Sequence, residues 1–254
     1  MTSQPEERPP LAPVRACLPE AQQPRIPDQT DRMWGYSAVA GAKTKRKTEI
    51  RRANEETLLT AAQEVFARAG FAGARVADIA AQAGLPKSNL HYYFSSKREL
   101  YRAVVANIVQ LWLSETDVFR PDADPRSAIE QYVRAKMAYS RRYPAASRVF
   151  ANEVIHQAPE IQPYLKTVAR QVFQEKTRVV EGWIKTGQMA RIDPRHFFII
   201  IWAATQTYAD FATQIEAMLD LDRLSDEDFN CATEQVLAVI LRASGFYYDP
   251  RTNA

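Results

Sequence analysis

An all-α fold is predicted, three short helices followed by six longer ones. Two observations carry it. From Asn54 to Ala243 apolar residues recur at i, i+3 and i+4, and glycines and prolines interrupt that rhythm at helix-length intervals. No stretch alternates apolar and polar residues between hairpin turns, as strands would.

The elements follow in order. Residues 1–42 carry Pro5, Pro9, Pro10, Pro13, Pro19, Pro24 and Pro27 without an apolar period, so a disordered tail is expected. Asn54 is suited to cap a first helix that carries Leu58, Ala62, Val65, Phe66 and Ala69 and stops at Gly70. A short helix over 76–82 ends before Gly84, and another over 87–94 starts behind Pro86. Ser96 and Glu99 have capping-box spacing and open a long helix over 97–119. Pro125, Pro144, Pro163 and Pro194 each mark a further start, giving helices over 125–142, 145–156, a long one ending at Gly187, and 194–219. The last helix spans 225–243.

Composition narrows the function. The chain has only 8 glycines, lacks GxGxxG, GxxxxGK and HExxH, and its two cysteines, Cys17 and Cys231, cannot build a zinc site. Neither a metal nor a cofactor is expected, and no catalytic constellation can be assembled. The longest apolar run, Phe197 to Ala204, is far short of the ~20 residues that span a bilayer, and no signal-peptide core opens the chain. A cytoplasmic protein without a membrane partner is expected. Formal charge is uneven: residues 43–100 hold 11 basic and 6 acidic groups, whereas the segments on either side are each net −1. Such a local excess suits a polyanionic partner, double-stranded DNA.

Ala83-Gly84-Leu85 joins two short helices as a helix-turn-helix does. In the second, Leu90 and Phe94 can anchor to a core, leaving Lys87, Ser88, Asn89, His91 and Tyr92 outside, residue types that donate to phosphates and base edges. Lys43, Lys45, Arg46 and Lys47 form a basic arm ahead of it; Arg75 and Lys97 flank it.

The run Phe71-x-Gly73-Ala74-Arg75-Val76-x-x-Ile79-Ala80-x-x-Ala83-Gly84-Leu85-Pro86-Lys87-x-Asn89-Leu90-x-Tyr92-Tyr93-Phe94-x-Ser96-Lys97-x-x-Leu100 resembles the DNA-binding domain of the tetracycline-repressor (TetR) family. That resemblance implies a DNA-binding head over 43–100, an effector and dimerisation domain over 101–244, a C-terminal tail over 245–254, a homodimer and a small-molecule effector. Tyr143-Pro144-x-Ala146-Ser147-Arg148-x-Phe150, Gly182-Trp183-Ile184-Lys185, Ile192-Asp193-Pro194 and the stretch Ile201 to Gln214 resemble the pyrimidine-utilisation branch of that family. The branch implies uracil or thymine as effector and release from a palindromic operator. His91 stands where the branch pattern has an apolar residue.

Trp202 and Gln206 are one helical turn apart and share a face that Asp210 continues. A glutamine amide, with one acceptor and two donors, complements a pyrimidine imide edge, and an indole can cover the ring. Thr205 belongs to the same stretch. Trp112, Tyr139 and Phe150 are core candidates that can also wall a pocket. Two other readings stay open: a TetR-type regulator of efflux or catabolic genes with a different effector, and an all-helical enzyme. For the dimer, Phe197, Phe198, Ile201, Phe211, Ile215, Val236, Leu237 and Ile240 supply more apolar surface than a peripheral pair of helices needs, so a four-helix interface is expected there.

Overall fold

The computed structural model describes the backbone of residues 42–248 and the side chains of residues 51–248. Among these residues there is no strand. The elements are α1 Ala42–Gly73, α2 Val76–Gln82, α3 Lys87–Tyr93, α4 Lys97–Ser114, α5 Pro125–Arg142, α6 Pro144–Ile155, α7 Arg170–Lys185, α8 Pro194–Asp210, α9 Ala212–Leu219 and α10 Asp226–Ala243. A 3-10 turn, Glu115–Val118, follows α4, and a π-helical turn, Leu165–Ala169, leads into α7.

Local chemistry sets most boundaries. Ser96 caps α4 by accepting from Glu99 N, Asp124 caps α5 by accepting from Ser127 N, and Asp193 caps α8 by accepting from Arg195 N. Ser225 and Asp228 form a reciprocal capping box at α10. Pro125, Pro144 and Pro194 sit in first turns, where a missing N–H costs nothing.

Three boundaries differ from expectation. Asn54 is no cap, because α1 already runs from Ala42; Arg52 and Glu56 pair at 2.9 Å across the supposed boundary, and good helix formers outweigh one capping-type residue. The helix predicted over 97–119 gives up α-geometry after Ser114; there Ser114 Oγ donates to Leu111 O and Thr116 Oγ1 to Leu113 O, drawing on the backbone acceptors of that turn. The helix predicted over 194–219 breaks at Phe211, whose φ is −120° and ψ 29°. Neither glycine nor proline marks that break.

Two apolar cores result. The first joins Leu58, Val65, Phe66, Ile79, Leu90, Leu100, Val104 and Ile108 with Ala146 and Val149 of α6, so the DNA-binding head and the second domain share it. The second joins α5, α7, α8 and α10 through Ile129, Val133, Trp183, Phe198, Ile201, Leu237 and Leu241. Each fully buried Leu, Ile or Phe contributes about 1.5–3 kcal/mol by leaving water. Gly245 to Tyr248 are no tail: Tyr248 is buried, its hydroxyl donates to Glu234, and Arg134 donates to it at 3.2 Å.

The expected dimer stripe is corrected in part. Phe197, Phe198, Ile201, Val236, Leu237 and Ile240 are all buried in the subunit's own core. The large apolar residues of α8 and α10 that remain exposed are Ile199, Ile200 and Val239, with Phe211 at the break.

After α6 the chain turns through Gln157 and Ala158, both with left-handed φ, 68° and 53°.

Candidate functional site

The helix-turn-helix depends on Gly84, whose φ of 64° the turn requires and a side chain would resist. Leu90 is fully buried against the first core, which fixes the rotation of α3. Lys87, Ser88, His91 and Tyr92 are thereby exposed and Asn89 is half-buried. Tyr92, 70% exposed, is held edge-on to Tyr93 at 5.1 Å with the Arg51 guanidinium 5.8 Å over its ring. Arg75, at the entry to α2, is exposed as well. The side chains of Lys43, Lys45, Arg46 and Lys47 lie outside the described residues, although their backbone is helical.

Lys97 does not belong with this set. Its Nζ donates to Phe71 O, Ala72 O and Ala74 O at 2.8, 3.3 and 3.0 Å. All three donors close off carbonyls at the end of α1, and none remains for a phosphate.

From the head, α4 leads to a cluster of polar and aromatic side chains contributed by α4, α5, α6 and α8. Trp112 meets Phe150 edge-to-face at 4.7 Å. Tyr139 donates its hydroxyl to Glu115 at 3.0 Å, and Ser147 donates to Asp210 at 2.6 Å. Burial raises the Asp210 carboxyl above its ordinary range, partly offset by Ser147 and by the nearby cation of Lys136. Lys136, on the inner face of α5, places its Nζ 4.1 Å from the centre of the Trp112 ring. Desolvation pushes its amine down from 10.5 to about 7, against the pull of Asp210 and Glu115.

Trp202 donates Nε1 to Tyr132 Oη at 2.8 Å and packs against Phe173 at 5.7 Å. Gln206, one turn on, is half-buried, and its amide makes no hydrogen bond among the described residues. Thr205 is corrected: it is fully buried and its hydroxyl donates to Ile201 O at 2.8 Å, leaving it nothing to offer a ligand.

The fold thus gathers Trp112, Tyr139, Phe150 and Asp210 with Lys136 and Glu115, two residues the sequence analysis did not single out, while Trp202 packs on Tyr132 and Phe173 beside the second core. A signal for Lys136 existed. It stands on the stripe Ile129, Tyr132, Val133, Met137, Ser140, where a lone lysine has no apolar business. Glu115 had none, since it follows the unforeseen end of α4.

Residues 58–104 match the family described as bacterial regulatory proteins, tetR family, and residues 105–246 match the YcdC-like protein, C-terminal region. The HTH-type transcriptional regulator RutR of Escherichia coli (strain K12) is 40% identical over 198 residues, 78% of this chain and 93% of that one. The HTH-type transcriptional repressor NicS of Pseudomonas putida is 32% identical over 117 residues, 44% of this chain and 55% of that one. Among solved structures, a transcriptional regulator from Streptomyces coelicolor superposes with a TM-score of 0.59 at 22% identity, covering 75% of this chain and 98% of its own. The TetR family regulator PfmR from Thermus thermophilus superposes with 0.57 at 14% identity, covering 83% and 100%. These two likenesses are of fold. With a helix-turn-helix whose exposed face is rich in donors, and on these sequence matches, the chain belongs to the TetR family of DNA-binding transcriptional regulators and is not an enzyme.

Proposed function

We propose that this regulator is a homodimeric, cytoplasmic repressor of pyrimidine and nitrogen metabolism genes, released from a palindromic operator by uracil or thymine. The observation that carries the effector half is Gln206: a half-buried amide without a hydrogen-bond partner among the described residues, one turn from Trp202, on the helix that also carries Asp210. The amide is left to water, and a ligand with a complementary edge takes the place of that water. Uracil and thymine offer that edge, an imide N–H flanked by carbonyls; cytosine does not. The 40% identity to RutR over most of both chains supports the same direction.

The DNA half rests on α3. Two copies of it on a two-fold axis reach successive major grooves about 34 Å apart. Exposed Ile199, Ile200, Phe211 and Val239 are the apolar groups available to a second subunit. The effector acts by binding more tightly to the conformation in which the two recognition helices are wrongly spaced.

The test is operator retention against uracil, thymine and cytosine for wild type and Gln206→Ala. Release by the first two and failure of the variant to respond is the expected result. An unaltered response of the variant to uracil would overturn the pyrimidine reading.

A further inference from the structure

Lys136 is 2% exposed, yet no hydrogen bond or ion pair engages its Nζ among the described residues. Its Nζ lies over the Trp112 ring, 4.1 Å from the ring centre. A cation over an aromatic face recovers only part of what leaving water costs an ammonium group. Asp210 and Glu115 act on it through space, but each is committed elsewhere, Asp210 to Ser147 and Glu115 to Tyr139. A core position needs no such group, since methionine would fill the same volume without the desolvation. What the arrangement supplies is a donor unpaired among the described residues, with a flat aromatic ring beside it, where side chains of α4, α5, α6 and α8 meet.

We propose that Lys136 is the specificity-determining cation of the effector site, donating to a ring carbonyl or ring carboxylate oxygen of a planar heterocycle that binds beside Trp112. This rests on the effector reading above and narrows it. Such a site takes oxygen acceptors; apolar drugs and ring amines that offer no such oxygen at this position are excluded. Burial, offset in part by Asp210 and Glu115, brings the amine down to about 7, so a ligand oxygen that favours the ammonium draws a proton from solvent onto Nζ as it binds. The charged groups bearing on that proton are Glu115 from the turn after α4 and Asp210 from α8, while Arg148 of α6 acts on Asp210 in turn.

The experiment is calorimetric titration of full-length wild type, Lys136→Met and Lys136→Arg with uracil, thymine, orotate and nicotinate as oxygen-bearing probes and toluene as the apolar one. It is run above neutral pH in two buffers of different ionisation enthalpy. Melting curves and circular dichroism establish that the variants fold. Wild type is expected to bind at least one oxygen-bearing ring with uptake of about one proton. Lys136→Met should lose about ten- to a hundredfold in affinity, and the proton uptake with it. Lys136→Arg, a cation that does not titrate here, should bind without proton uptake. If uracil or thymine binds wild type and a folded Lys136→Met equally well, the role of Lys136 is overturned and the pyrimidine reading stands. If only orotate or nicotinate binds and depends on Lys136, the role stands and the uracil or thymine reading falls. If no oxygen-bearing ring binds wild type, or toluene binds best, both are overturned.

Discussion

Tyr101 of α4 donates its hydroxyl to Glu153 of α6 at 2.9 Å, and both residues are buried. The other oxygen of the carboxylate accepts from Glu160 N at 2.7 Å, and Glu160 in turn pairs with Arg102 at 2.7 Å and Arg98 at 3.2 Å. The helix leaving the DNA-binding head is thus tied to α6 of the second domain. Burial and the facing carboxylate raise the Tyr101 phenol well above its ordinary value, so it remains a donor across the working range. Tyr101→Phe strips one partner from a buried carboxylate and should cost about 1–3 kcal/mol in urea unfolding. A loss under half a kilocalorie would mean the bond is structurally idle.

The exposed face of α3 divides into two kinds of contact. Lys87→Ala should weaken binding to every DNA sequence and lower the salt slope by ~0.9. Asn89→Ala and His91→Ala should instead relax sequence preference, at ~1–3 kcal/mol for a good base contact. Binding isotherms on operator and scrambled duplexes at several salt concentrations separate the two; identical behaviour of all three variants would mean α3 does not read bases.

Subunit contact is tested by contrasting outside with inside. Val239, 65% exposed, and Ile200 on α8 should each give a folded monomer when changed to glutamate. Leu237→Glu should fail to fold, since Leu237 has no exposed surface and a buried unpaired carboxylate is not tolerated. Light scattering that still reports dimers for Ile200→Glu and Val239→Glu would move the interface off α8 and α10.

Stability should depend on pH through Lys136. Its amine titrates near 7 in the folded chain and near 10.5 when unfolded. Between those values the unfolded chain holds more protons, so stability rises with pH, by up to ~1.4 kcal/mol per unit. Below about 7 the folded chain must carry the buried charge, and the full penalty applies. Lys136→Met removes this slope. Urea unfolding of both proteins without effector at about pH 6 and about pH 9 measures the difference; parallel pH dependences would show that the amine titrates normally.

How much of this was readable depends on where the information sits. The starts at Ser96, Pro125, Pro144, Pro194 and Ser225 were legible because capping and proline chemistry is local. So was the outward face of α3, fixed by Leu90. The break at Phe211 was not, because nothing within one turn of it forbids a helix. Lys97 misled because a surface lysine beside a recognition helix and one clamping backbone carbonyls have the same sequence; only the fold brings Phe71, Ala72 and Ala74 within its reach. Leu237 and Ile240 misled for a related reason: a helix serving its own core and one serving a partner carry the same apolar spacing.

The turn at Gln157 and Ala158 bears on how fast the two domains can change their relation. Non-glycine residues in left-handed backbone conformation each cost about 1–2 kcal/mol, and here two stand in succession, directly after the helix that holds Glu153. Ala158 N is nevertheless drawn to Glu153 O at 2.7 Å, and Ala158 is packed into the shared core. The segment is a wound spring held shut by packing. Any movement of α6 that loosens that packing recovers the strain, so unlatching costs less than the buried surface alone would suggest. Deuterium should accordingly enter the amides of this turn sooner than those of α5, and sooner still when effector is present.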